Sequence, residues 1–247
     1  MKRVIASCIG MILLSAGLSY AAEGTHWGYS GHEGPEHWGE LSPEYAMCGT
    51  GKNQSPINIT GMIEAELEPI QIDYKDVPLD VMNNGHTIKV GYAEGSTMKI
   101  EGQTFKLLQF HFHTPSENQI EGKSFPMEAH LVHADNEGNL AVIGVMFDEG
   151  KANSSIEEIW KLMPAEAGKT NTASDVRVNV MNMLPANKDY YRFNGSLTTP
   201  PCTEGVRWFV LKNPVSASKE QIEKYSHTMH HDTNRPVQPT HARPVLK

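Results

Sequence analysis

The chain is 247 residues long, 39% hydrophobic and 20% charged, with a formal net charge of −8. That length and apolar content supply one substantial core or two small ones. The acidic balance carries no long run of one sign and no basic stripe, which argues against a nucleic-acid partner and reads as a solubility feature.

Lys2 and Arg3 precede a mostly apolar stretch, residues 4–18, that ends in Ser19-Tyr20-Ala21-Ala22. A basic start, a short apolar run and small residues predict a secretory signal peptide over residues 1–22, too short for a comfortable membrane span. No other stretch could cross a bilayer. Cleavage after Ala21 or Ala22 leaves residues 23–247 as an exported chain, periplasmic or secreted. Ile5-Ala6-Ser7-Cys8 looks loosely like a lipoprotein box, but too few apolar residues precede Cys8 to form a signal core. Two cysteines remain after cleavage, Cys48 and Cys202. An even pair in an oxidising compartment predicts a disulfide. Closing so long a loop is worth roughly 5 kcal/mol in the chain-entropy model. Two free thiols, or a bridge between chains, are the competing readings.

The texture from residue 23 to residue 247 is even, with no repeat and no linker, so the expectation is a single β-rich domain. Residues 23–56 are rich in Gly, His and Trp, lack periodicity, and read as irregular chain wrapping the surface. Strand-like runs follow at residues 70–74, 87–92, 97–100, 105–113, 128–133, 140–147 and 206–211, punctuated by turn residues. Asn136-Glu137-Gly138 reads as a hairpin turn. Two helices stand out. Ser155 with Glu158 forms a capping-box pattern, and Ile156, Ile159, Trp160 and Met163 then make one apolar face that Pro164 ends. Ser218 and Gln221 repeat the box before Ile222 and Tyr225.

The most specific segment is Gln109-Phe110-His111-Phe112-His113. In a strand, residues i and i+2 share a face, so His111 and His113 project side by side and the two phenylalanines face away. Two adjacent imidazoles can share a metal ion. A third ligand is available in Glu128-Ala129-His130-Leu131-Val132-His133, where His130 and His133 are an odd number apart, so only one of them can face the metal. Three nitrogen ligands with one open position describe a catalytic zinc site, whereas structural sites use four protein ligands. Gln109 and Glu128 each stand two residues from a histidine, on the same face as that neighbour.

Several further segments, in order, carry a family resemblance. They are His26-Trp27-Gly28-Tyr29, Gly34-Pro35-Glu36-His37-Trp38, Gln54-Ser55-Pro56-Ile57-Asn58-Ile59 and Asn83-Asn84-Gly85-His86. Gln109 to Pro115 and Glu128 to His133 follow, then Ser196-Leu197-Thr198-Thr199-Pro200-Pro201-Cys202 and Asn234-Arg235-Pro236-Val237-Gln238-Pro239. With these, nearly the whole mature chain resembles an α-class carbonic anhydrase, and His113-Thr114-Pro115-Ser116-Glu117 resembles the bacterial branch. The resemblance implies a large, mostly antiparallel twisted sheet with short surface helices and a metal at the base of a conical cleft. It implies one Zn2+ per chain on His111, His113 and His130, not His133, and reversible hydration of CO2 to bicarbonate by zinc-bound hydroxide.

By the same resemblance Gln109 and Glu128 orient His111 and His130. Thr198 directs the nucleophile and hands its own proton to Glu117. His86 is the proton shuttle, as a histidine with a pKa near neutrality can be. Tyr29, Asn84 and Thr199 order the relay waters. Val132, Val142, Leu197, Val206 and Trp208 form the apolar wall for CO2. Asn118 departs from the histidine usual in the animal enzymes, which bears on local hydrogen bonding. No sequence feature fixes an oligomer, although bacterial relatives often form homodimers. Two rivals are a related binding module without catalysis and a zinc esterase. All three histidines are present, against the first, and neither His-Glu-x-x-His nor Gly-x-Ser-x-Gly occurs, against the second.

Overall fold

The computed structural model of the chain describes residues 25–247; the expected signal peptide and Cys8 lie outside the described residues. Period-two alternation is satisfied by strands through most of the chain. In order they are β1 Asn58–Ile59, β2 Gln71–Asp73, β3 Val77–Asn83, β4 Ile88–Gly91, β5 Thr97–Ile100, β6 Gln103–His113, β7 Gln119–Ile120, β8 Met127–Ala134, β9 Leu140–Glu149, β10 Lys169–Val178, β11 Tyr190–Ser196, β12 Glu204–Leu211 and β13 Val215–Ala217.

Eleven of them make one sheet, ordered β10-β3-β4-β6-β8-β9-β12-β11, with β5 also on β6, β2 on β5 and β13 on β9. β12 and β13 run parallel to β9 and the other pairs are antiparallel, so the sheet is mixed but mainly antiparallel, as expected. β1 and β7 form a separate parallel pair. The Asn136-Glu137-Gly138 turn joins β8 to β9, with Gly138 at φ 86° and the Asp135 carboxylate accepting from the Glu137 and Asn139 amides at 2.9 Å.

The two faces of the sheet bury different clusters. The larger contains Phe105, Leu107, Phe110, Phe112, Leu131 and Ile143 beneath the helices. The smaller contains Ile57, Phe125, Val132, Val142, Val206 and Trp208. β6 crosses from one phase to the other. Phe105 and Leu107, at odd positions, lie in the same cluster as Phe110 and Phe112, at even ones. A register shift between Leu107 and Gln109 inserts one extra residue opposite β8 and reverses the alternation. Leu108 is the result, a leucine left 47% exposed. The alternation expected over residues 105–113 therefore holds on each side of the bulge, in opposite phase.

Among the described residues four α-helices lie outside the sheet: α1 Trp38–Leu41, α2 Met47–Thr50, α3 Ser154–Leu162 and α4 Lys219–Met229. Residues 23–56, expected to be irregular, contain α1 and α2 as single turns. These approach so closely that a Cβ on Gly39 would sit 2.8 Å from the Gly49 amide nitrogen. The α3 cap differs from expectation. Asn153, not Ser155, is the cap, its side chain accepting from the Ser155 and Ile156 amides, and Ser155 is taken into the buried face with Ile156, Ile159 and Trp160. The Ser218–Gln221 box forms as expected. No described helix is long and apolar enough to cross a membrane.

Candidate metal centre

Strand parity and register bring the three histidines together. His111 and His113 share a face of β6, and His130 on β8 is the cross-strand partner of His111. One ligand atom from each lies within 4.8 Å of the others, the sole such cluster of three metal-binding side chains among the described residues. His133 has the opposite parity. It is buried in the core, its Nε2 2.8 Å from the Tyr74 hydroxyl and its Nδ1 3.3 Å from the Ala141 carbonyl oxygen. The choice the sequence left between His130 and His133 is thus made by the strand.

Each histidine has one nitrogen engaged and one turned inward. His111 Nδ1–H donates to Gln109 Oε1 at 2.9 Å, and His113 Nδ1–H to the Thr233 carbonyl at 2.5 Å. His130 Nε2 lies 3.0 Å from Glu128 Oε1, bent away from ideal hydrogen-bond geometry. The remaining nitrogens are Nε2, Nε2 and Nδ1. Burial, with mutual repulsion among the rings, lowers the pKa of His111 and His130, and burial lowers that of His113 despite its bond to Thr233. Neutral imidazoles with fixed tautomers are what a metal ion requires.

Glu128 is held from several sides. Its Oε2 accepts from the Glu117 and Asn118 amides at 2.8 Å, and its Oε1 from Asn118 Nδ2 at 2.9 Å. Asn118 Oδ1 accepts from the Ile57 amide at 3.1 Å. The asparagine therefore bridges Glu128 and the Ile57 amide, which is the hydrogen bonding this chain builds at the position where its sequence departs from the resemblance. Gly144 makes room for it: a Cβ there would meet Glu128 Oε1 at 3.0 Å and Val210 at 3.2 Å.

Glu117 is fully enclosed. Its Oε1 accepts from the Arg235 amide at 2.8 Å. Its Oε2 has no hydrogen-bond partner and lies 3.5 Å from His113 Nε2 and 3.7 Å from His130 Nδ1. Burial pushes its carboxyl well up, against the Arg235 amide and the Thr198 hydroxyl, which pull it down. Thr198, buried, stands beside it on the turn after β11. That turn is closed by the bonds Leu197 N–H to Thr203 O and Cys202 N–H to Thr199 O, and tied down by a Cys48–Cys202 disulfide within the chain.

Val132 pairs with Val142, which pairs with Trp208, and these three with Val206 lie in the smaller cluster, with Leu197 packed against it. The Trp208 ring stands edge-on to His130 at 4.8 Å, so an apolar wall adjoins the cluster. His86, half-buried, stacks on Trp27 at 3.7 Å. Asn84 Oδ1 accepts from the His86 and Thr87 amides, so this residue shapes the turn that carries His86. Tyr29 packs against Trp27 and Trp38.

Sequence reading missed Thr233 and the inward role of Arg235. Thr233 acts through a carbonyl that any residue would supply. Arg235 acts through its amide, while its guanidinium binds Gln54 Oε1 and the Ser55 and Cys48 carbonyls. A buried arginine inside a family motif was the available signal.

Residues 33–247 match the model of the eukaryotic-type carbonic anhydrase family. The chain belongs to the α-carbonic anhydrases. It is 49% identical over 228 residues to a carbonic anhydrase of Pectobacterium carotovorum, covering 92% of each chain. Among solved structures it resembles the α-carbonic anhydrase of Thermovibrio ammonificans in complex with sulfanilamide, at 52% identity and TM-score 0.89, over 91% of this chain and 100% of that one. It also resembles a hyperthermostable carbonic anhydrase from an active hydrothermal vent chimney, at 56% identity and TM-score 0.87, over 90% and 99%. Family, sequence and fold thus make it a carbonic anhydrase, and the histidine triad is the centre of that family's site.

Proposed function

We propose that this chain catalyses the reversible hydration of CO2 to bicarbonate and a proton, with one zinc ion held by His111, His113 and His130. The observation that carries the reading is the convergence of three neutral imidazoles whose outer nitrogens face Gln109, Thr233 and Glu128. The donor set fits the ion. His113 Nε2 is buried without a partner, and so is the nearby Glu117 Oε2. Two enclosed carboxyl groups stand beside neutral rings, an arrangement that a dication would balance.

Bound there, zinc supplies Lewis acidity and brings the pKa of a coordinated water towards neutrality, the established behaviour of carbonic anhydrases and not a result derived from this chain. The protein's residues do the rest. Glu117, fixed by the Arg235 amide, accepts the Thr198 hydroxyl proton, which leaves the Thr198 oxygen lone pairs to accept from the attacking oxygen and set its direction. Val132, Val142, Leu197, Val206 and Trp208 offer CO2 an apolar surface beside the metal ring. The proton leaves by way of His86, with Tyr29, Asn84 and Thr199 along the route. Burial, then the neighbouring His26 and His231, lowers the His86 pKa, which favours release to solvent.

The Cys48–Cys202 bridge supports a chain that matures outside the reducing cytoplasm, and residues 1–22 read as its export signal to the periplasm or beyond. The deciding experiment is metal analysis with stopped-flow CO2 hydration on the mature protein. One zinc per chain is expected, with hydration abolished by a chelator and restored by zinc, and both zinc and activity lost in His113→Ala. Stoichiometric zinc without hydration would make the chain a binding module. Ester hydrolysis rivalling CO2 hydration would make it an esterase.

A further inference from the structure

A second histidine stands beside the aromatic group that holds His86. His231 follows His230, which ends α4 in the left-handed conformation at φ 63°. The turn it occupies is fastened to the metal ring. Two residues on, Thr233 takes the His113 Nδ1–H on its carbonyl, its amide donates to the Thr114 carbonyl at 3.0 Å, and its hydroxyl accepts from the Thr114 amide at 3.1 Å. His231 is exposed, yet its ring lies 5.7 Å from that of Tyr29, centroid to centroid. Tyr29 in turn sits 5.6 Å from Trp27, on which His86 is stacked. It also lies near enough to Glu117 to feel its charge. The Tyr29 ring thus lies beside both imidazoles, His231 directly and His86 through Trp27.

The His231 ring is already in the tautomer that receives a proton. Its Nδ1–H donates to the Asp232 carbonyl at 2.8 Å, which leaves the lone pair on Nε2. Another exposed histidine, His26, has its Nδ1 3.2 Å from the Glu33 carboxylate instead. His86, meanwhile, is stacked against Trp27 on the amino-terminal segment, a contact that holds its ring in one place.

We propose that His231 is a second proton acceptor, working in parallel with His86; this rests on the carbonic anhydrase reading above. The step moves one proton and no electrons beyond the lone pair that receives it. The proton arrives through water at Nε2, the imidazolium keeps its Nδ1–H on the Asp232 carbonyl, and Nε2 passes the proton to a buffer base. The groups that face this exchange are His86, His26, Tyr29 and Asp232.

The test is CO2 hydration by the zinc enzyme and its His86→Ala, His231→Ala and doubly substituted forms, in weak buffer and in concentrated imidazole. In weak buffer the double variant should turn over about tenfold more slowly than His86→Ala, an order below what a fully positioned proton-transfer group contributes. Concentrated imidazole should restore it. The residual weak-buffer rate of His86→Ala should follow, with pH, the titration of His231 measured by NMR on the same protein, a correspondence that a merely structural residue would not produce. Equal weak-buffer rates for His86→Ala and the double variant would overturn the proposal, as would a residual rate that ignores the His231 titration. Absence of hydration in the unsubstituted enzyme at every buffer concentration would instead overturn the reading beneath it. Exposure of His231 makes its removal harmless to folding, which thermal melting of each variant checks.

Discussion

Acid should destabilise this protein through a histidine that takes no part in its chemistry. His133 is fully buried and its pKa falls from 6.5 to about 4, first through desolvation, against the opposing pull of the Ala141 and Leu131 backbone bonds. The unfolded chain therefore takes up a proton at this site that the folded one refuses. Stability from the neutral ring is fully present above pH 6.5 and is lost as pH falls through about 4. At about 1.4 kcal/mol per pH unit the loss comes to about 3 kcal/mol, a large part of a domain's usual net stability. Urea unfolding of the parent and of His133→Gln at pH values from 7.5 to 3.5 isolates it, because the other acid-sensitive groups are common to both chains. The stability difference between parent and variant should shrink by about 3 kcal/mol over that range. A difference that stays constant with pH would refute the picture of a neutral histidine sealed in the core.

Asn118→Leu removes the donor that holds Glu128 Oε1 and should weaken zinc binding by about tenfold, the lower end of the effect of losing an outer hydrogen-bond partner; competition with a chelator measures it, and unchanged affinity would remove Asn118 from the metal's support. Thr198→Ala should keep its zinc and lose about 100-fold in kcat/KM, the penalty of a misdirected nucleophile; hydration kinetics on metal-analysed protein decide it, and a fully active variant would end the directing role. Replacing both Cys48 and Cys202 by Ser opens a loop of 154 residues and should cost at most about 5 kcal/mol in urea unfolding. Hydration should fall as well, since the bridge ties down the turn that carries Thr198; stability equal to the parent's would refute the first expectation, and undiminished hydration the second.

Two kinds of strand were legible in sequence: those with one wet and one dry face, and those buried on both faces, as short apolar runs between turn residues. β4 and β5 follow from apolar residues at intervals of two, and β8, β9 and most of β12, buried on both faces, from short apolar runs. β10 does not, because most of Lys169–Val178 is exposed at the sheet edge and offers no alternation. β3 was hidden differently: Val77, Leu79 and Val81 alternate and are buried, but Pro78 stands among them, facing solvent. At the site, two imidazoles on one face followed from geometry, the third from family resemblance, and Asn118 was flagged without a role. Thr233 could not be read at all. Its carbonyl reaches His113 from 120 residues away, and a backbone oxygen leaves no trace in residue identity.

The extra residue in β6 makes the catalytic face a matter of counting. Upstream of Leu108 odd-numbered side chains go to the core, and downstream even-numbered ones do. Pairing that ran straight through Leu108, with no residue left over, would drive His111 and His113 into the place of Phe110 and Phe112. A point substitution spoils one ligand, whereas loss of the bulge would exchange both β6 ligands for aromatic rings. Deleting Leu108 would do the reverse: Leu107 and Gln109, already opposite His133 and Val132, would follow one another in a regular strand, and both histidines would hold the metal face without a bulge.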